Sequence, residues 1–314
     1  MKNRVISIFM KALGAVVLGM GALLIIFTAC AVWPTGPKPS VVAAKIQRNV
    51  VYGNAGEVKL KMDFYFPADA GGKARPVVMY VHGGGWRMGS KSMIAIIPGP
   101  AELLRRGYVV VAINYRLAPE YKFPAMLEDA KCAVRFLRAH AENFKLDPQR
   151  IGVMGDSAGG HLAALLGLTD SRAGFEGHCD WSNESSRVQA VVDLYGPSDF
   201  ADGKTNFNKA AIALVKEAFG AKSANDSILK RASPVTYVSA QAPPFLILHG
   251  DRDGLVPLEQ SAELNEKLKA AGVSSTFIVI TNFSHGFTPF GLKSSPTSVE
   301  LSKMVADFFD KNLR

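Results

Sequence analysis

Cysteine is scarce: Cys30, Cys132 and Cys179 are the three in 314 residues, too few to staple a small scaffold together. No dense Lys/Arg run is interleaved with aromatics, so the formal net charge of +9 leaves no nucleic-acid footprint. Lys2, Arg4 and Lys11 supply part of that excess in a stretch that holds no acid. No His/Cys spacing matches a zinc site, and no metal is expected. Gly 29 and Pro 17 are ordinary numbers, which excludes collagen-like and low-complexity classes, and no internal repeat is visible. What remains is a globular composition, 48% apolar and 20% charged, with length enough for one large domain.

One uncharged run is long. Ala12 to Trp33 follows the basic flank, and at ~1.5 Å rise per residue such a run can just span a hydrocarbon core of ~30 Å. The stretch Ile26-Phe27-Thr28-Ala29-Cys30 resembles a bacterial lipobox, with Phe27 where Leu is usual. The resemblance implies cleavage before Cys30 and its lipidation; otherwise the run stays as an N-terminal anchor. In both readings residues 1–33 are an export signal or membrane anchor, the charged tip stays inside, and the remainder is exported to the cell envelope. Cys132 and Cys179 would then meet an oxidising compartment. Cys132 lies in a helical pattern, where a small apolar core residue is the commoner role, so both cysteines are expected free.

Residues 34–57 read as a Pro/Gly-marked linker, with the fold beginning near Val58. Val58, Leu60, Met62, Phe64 and Phe66 alternate with more polar residues, the period of a strand with one wet face. Val77–Val81, Tyr108–Ile113, Ile151–Met154, Ala190–Leu194, Phe245–Leu248 and Thr276–Ile280 are nearly continuous apolar runs, suited to parallel strands covered on both faces. Helical patterns separate them at Pro100–Arg106, Pro124–His140, Ala158–Leu168, Pro257–Ala271 and Ser298–Leu313. The alternation predicts an α/β domain over 58–314 with a mostly parallel sheet. Residues 197–243 break the rhythm and read as an insertion above the sheet.

Gly155-Asp156-Ser157-Ala158-Gly159 follows an apolar strand and opens a helix, the setting of a nucleophile elbow. His82-Gly83-Gly84-Gly85-Trp86 ends another strand with bare backbone able to present NH groups to an oxyanion. Gly84, Gly85 and Ala158 are the candidate donors. A flexible loop or a phosphate cradle is the weaker reading, because a phosphate loop needs a Gly-Lys-Ser/Thr ending and this segment ends in Trp86-Arg87. An acid and a base must follow the serine in chain order. The acid is Asp251 or Asp253, a choice that position leaves open. His82, His140, His161, His178 and His249 all have other expected places, His249 as a packed loop residue, so His285 is the base.

Together the motifs HGGGW (82–86), NYRLAPE (114–120), GDSAGG (155–160) and SHGF (284–287) resemble α/β-hydrolase esterases of the hormone-sensitive-lipase-like and bacterial feruloyl-esterase-like branches, from about Val58 onward. No long cap precedes Val58, which favours the second branch. The resemblance implies Asp253 as the acid, since it is the later aspartate of the D-x-D-x-x-V-P stretch, and a structural brace over Tyr115–Asp129. The expected activity is hydrolysis of a small-molecule ester, short-chain or aryl/sugar-linked, by a Ser157–His285–Asp253 triad with no cofactor. Trp86, Tyr195 and Phe287 are candidate substrate contacts. A peptidase of the same fold and a non-catalytic binder are the alternatives.

Overall fold

The computed structural model describes residues 37–68, 72–201, 207–287 and 294–314. The apolar run 1–33 with its candidate lipidation site Cys30, and the side chain of Phe287, lie outside the described residues. Among the described residues no helix is long and apolar enough to cross a membrane.

Eight strands form one sheet: β1 (Lys45–Ala55), β2 (Val58–Phe66), β3 (Arg75–Val81), β4 (Val109–Ile113), β5 (Leu146–Asp156), β6 (Ala190–Leu194), β7 (Phe245–Gly250) and β8 (Ser275–Ile280). Their order is β1-β2-β4-β3-β5-β6-β7-β8, with antiparallel pairing at β1/β2 and β2/β4 and parallel pairing from β4 to β8. β3 shows why the central runs carry no polar alternation. Val77, Met79 and Val81 enter one core, Val78 and Tyr80 the other, and all five are fully buried.

Helices α1 (Pro39–Val42), α2 (Pro100–Arg105), α3 (Ala125–Ala139), α4 (Ala141–Phe144), α5 (Ala158–Leu168), α6 (Lys209–Phe219), α7 (Ser227–Ala232), α8 (Leu258–Ala270) and α9 (Ser298–Leu313) complete the described elements of four or more α-helical residues. α3, α5 and α8 bury their apolar residues against the first face of the sheet, and α2 and α9 against the second. The chain is thus an α/β-hydrolase fold. Residues 197–243 contain α6 and α7 and no strand among the described residues.

Three expectations are corrected. The segment read as linker contains β1, an 11-residue strand paired with β2. It escaped notice because it is a largely exposed edge whose register shifts twice, with Asn49 at φ 57°, so its apolar residues keep no period of two. β8 is not covered on both faces: it closes the opposite edge, and Val279 remains 39% exposed. Finally, Cys132 and Cys179 are not free but joined by a disulfide, with Cα atoms 5.8 Å apart. The segment between α5 and β6 returns over α3, where Trp181 Nε1 donates to the Tyr52 carbonyl at 2.9 Å and the indole meets Phe136 and His140 edge-on. That docking brings together two residues 47 apart in sequence, a proximity no local pattern encodes.

Candidate active site

The parallel strands β3, β5, β7 and β8 all deliver a loop to their C-terminal ends, and the site is assembled from those four loops. After β5 the chain reverses at Ser157, held at φ 52°, ψ −119°, before α5 begins. A non-glycine residue rarely adopts this conformation, and here the surroundings enforce it. A Cβ on Gly155 would lie 2.2 Å from the Gly159 carbonyl oxygen, and one on Gly159 would lie 2.1 Å from that of Val81. Only glycines allow strand and helix to approach so closely. The Ser157 backbone NH donates to the Leu194 carbonyl at 2.8 Å, tying the elbow to β6.

The loop after β3 lies alongside. Gly84 and Gly85 have φ of 116° and 60°, and a Cβ on Gly84 would meet the Met88 carbonyl oxygen at 2.2 Å. The buried Asp156 carboxylate pins this loop to the elbow, accepting from the Gly83 NH at 2.9 Å and from the Tyr80 hydroxyl at 2.7 Å. Burial pushes Asp156 above the usual carboxylate value, against the pull of those two bonds. The Tyr115 hydroxyl donates to the His82 carbonyl at 2.8 Å, and its ring stacks on the His82 ring. The Ala118 NH donates to the Trp86 carbonyl at 2.9 Å, while Arg116 holds Asp129 by several hydrogen bonds behind it. The 114–129 segment therefore braces the glycine loop.

Asp253 follows β7 and His285 follows β8. His285 Nδ1 is 2.7 Å from Asp253 Oδ2, and His285 Nε2 is 2.8 Å from Ser157 Oγ. Asp253 is almost fully buried; its Oδ1 accepts from the Leu255 and Val256 NH groups, each at 2.9 Å. Burial on its own would raise this carboxyl, but the facing His285 and His249 imidazoles outweigh it and hold it well below the usual carboxylate range. Asp251 points elsewhere: it is exposed, and its Oδ1 accepts from the Phe283 NH at 3.2 Å. The carboxylate facing His285 is thus Asp253.

A cavity opens over Ser157 and His285, lined also by Gly84, Gly85 and Ala158. Met93, Ile97, Phe207, Leu214 and Val256 make its walls apolar. Tyr195 and Trp86 both line it. Tyr195 sits at φ 46° with its ring edge-on to that of His285, centroids 5.0 Å apart. Trp86 is mostly packed inward, on Phe200 and Phe219. Its indole NH donates to His161 Nδ1 at 3.1 Å. Because an indole can only donate, His161 Nδ1 must be the acceptor, and its Nε2–H donates to the Ala232 carbonyl of α7 at 2.7 Å. Burial depresses both His82 and His161 to about 4, so each stays a neutral structural imidazole at ordinary pH.

Sequence reasoning passed over three contributors: Asp156, the second residue of G-x-S-x-G; His161, which links α5 to α7; and His249. Only the first sat inside a motif, GDSAGG, and there it was given no role.

The family model BD-FAE matches residues 62–268. Esterase LipC of Mycobacterium tuberculosis is 31% identical over 280 residues, an alignment covering 85% of this chain and 68% of LipC. Esterase LipQ of the same organism is 31% identical over 283 residues, 88% of this chain and 64% of LipQ. The chain spans about two thirds of the length of these curated relatives. Among solved structures, a truncated carbohydrate esterase from gut microbiota superposes with a TM-score of 0.76 at 29% identity, covering 88% of this chain and 98% of that one. Thermogutta terrifontis esterase 2 with butyrate bound gives 0.68 at 28% identity, covering 86% and 92%. The extent of the family match, over an α/β-hydrolase sheet and in company with esterases, leads to one conclusion: the chain belongs to the BD-FAE family and is a carboxylic ester hydrolase.

Proposed function

We propose that the protein hydrolyses short-chain or aryl/sugar-linked acyl esters through a Ser157–His285–Asp253 triad and an acyl-enzyme intermediate. The observation that carries this reading is the continuous pair of hydrogen bonds from Ser157 Oγ through His285 to Asp253, opening on an apolar cavity. Neutral His285 accepts the Ser157 proton as Oγ attacks the ester carbonyl, then returns it to the leaving alcohol. Asp253 keeps the imidazole in the tautomer with its proton on Nδ1 and stabilises the cation that forms. Backbone NH groups of Gly84, Gly85 and Ala158 receive the developing oxyanion, each such donor typically contributing ~3 to 4 kcal/mol. Water then repeats the cycle on the acyl-enzyme.

The apolar walls favour an unsubstituted acyl or aryl group over a bare sugar in the cavity, and the butyrate bound by the Thermogutta enzyme supports a short acyl chain. The test is hydrolysis of p-nitrophenyl esters from acetate to palmitate by wild type and Ser157→Ala. Activity that peaks at short chains and vanishes in the variant is expected; activity retained by Ser157→Ala would overturn the reading. Thermogutta terrifontis esterase 2 is phosphorylated by paraoxon, so paraoxon treatment followed by peptide mapping should place a single adduct on Ser157. For location we propose export with attachment at the N-terminus, which the Cys132–Cys179 disulfide supports because such bonds persist in oxidising compartments. Recovery of the protein in the cytosolic fraction would refute it.

A further inference from the structure

We propose that His249 is a positioning residue that shares the Asp253 carboxylate with His285. The inference rests on the proposed role of Asp253 as the acid. His249 is wholly buried at the end of β7. Its Nε2 lies 3.0 Å from the Val256 carbonyl oxygen and 3.2 Å from Asp253 Oδ2. Both are acceptors, so Nε2 carries the proton, and Nδ1 accepts from the Ser261 hydroxyl at 2.7 Å. The Nε2–H donates to the Val256 carbonyl and at the same time stands 3.2 Å from the oxygen that receives His285 Nδ1–H.

Asp253 consequently faces four N–H groups: two backbone NH groups hydrogen-bond Oδ1, His285 hydrogen-bonds Oδ2, and His249 makes a longer contact with Oδ2 beside its bond to the Val256 carbonyl. That number fills the lone-pair sites of a carboxylate. Two consequences follow. Oδ2 is fixed toward His285 from both sides. Its charge is also spread over one more donor than a triad requires, and a carboxylate so engaged attracts an imidazolium less strongly. Among the described residues, the titratable groups Asp253, Asp156 and Tyr195 face His285, together with the Ser157 hydroxyl. Those facing His249 are Asp253 and Tyr195. Removing the His249 donor leaves all the others in place.

The experiment compares His249→Asn with His249→Gln. A Gln amide can place a donor where Nε2 stands; an Asn amide reaches only as far as Nδ1 and loses the contact with Asp253. In His249→Asn, kcat should fall about tenfold with KM nearly unchanged, and the acid limb of the kcat/KM profile should move to higher pH by roughly half a unit, because Asp253 then holds the protonated base more tightly. His249→Gln should restore most of kcat and return the limb to its wild-type position. An unmoved limb, a limb shifted to lower pH as a displaced Asp253 would produce, or equal behaviour of the two variants overturns the proposal. His249→Leu fills more of the space without a donor and repeats the test if His249→Asn does not fold. Asp253→Asn serves as the control: near wild-type activity there would refute the triad itself, whereas an inactive Asp253→Asn beside a wild-type limb in His249→Asn refutes only the role of His249.

Discussion

The two halves of the candidate active site are held in different ways. On the serine side, the elbow after β5 and the glycine loop after β3 leave the buried C-terminal ends of central strands, and backbone meets backbone at distances only glycine allows. On the histidine side, His285 follows the half-exposed edge strand β8 and is oriented by side-chain hydrogen bonds and the edge of the Tyr195 ring. A defect on the serine side therefore acts through packing and reaches stability and activity together. On the proposed mechanism, a defect on the histidine side is expected to remove chemistry and to leave the fold almost untouched.

The largest expected effect tests the histidine side. Asp253→Asn should lower kcat by about 10⁴-fold, through the wrong imidazole tautomer, with a Tm close to wild type; a loss of stability to match would erase the contrast. Next comes Gly159→Ala on the serine side. Its Cβ would stand 2.1 Å from the Val81 carbonyl oxygen and 2.6 Å from that of His82, and neither backbone can yield cheaply. A cost above about 3 kcal/mol is expected, read in urea melts, with specific activity falling in parallel.

A third variant touches neither half. Removing the disulfide by Cys132→Ser with Cys179→Ser should cost roughly 2 to 4 kcal/mol, while kcat/KM per folded molecule stays at the wild-type value, since neither sulfur lines the cavity.

The smallest effect is a pH dependence on the serine side. Asp193 is buried at the end of β6, and burial raises it from the ordinary 3.8 to about 7, against one hydrogen bond from the Gly196 NH. Its Oδ2 has no partner. A carboxyl raised on folding contributes stability that is complete below about pH 4 and is lost as pH rises through 7, at no more than about 1.4 kcal/mol per pH unit. Asp193→Asn should lack this decline, so the stability of variant relative to wild type should rise between pH 5 and 8 in denaturant titrations. A constant difference across that range would show that Asp193 does not titrate there.

Much of this architecture was legible in the chain. β2, β6, α5 and α9 match the predicted spans residue for residue, and the other central strands differ at their ends. Those segments announce themselves because burial on one or both faces dictates every side chain in them. β1 did not, because an exposed, bulged edge strand places no such demand on its sequence. Ser157 and the glycine loop were legible for a related reason: a turn without room for a Cβ must spell itself in glycine.

Local chain chemistry, then, was enough to establish the strand and helix alternation, the elbow at Ser157 and the bare backbone at 83–85, since each is a constraint between covalent neighbours. Folding decided the remainder: that Asp253 and not Asp251 faces His285, that His249 shares that carboxylate, that Asp156 ties two loops, and that Cys132 meets Cys179. Each of these is a choice of partner between segments far apart in sequence. A residue's own neighbourhood along the chain does not determine which distant loop the sheet will bring to it.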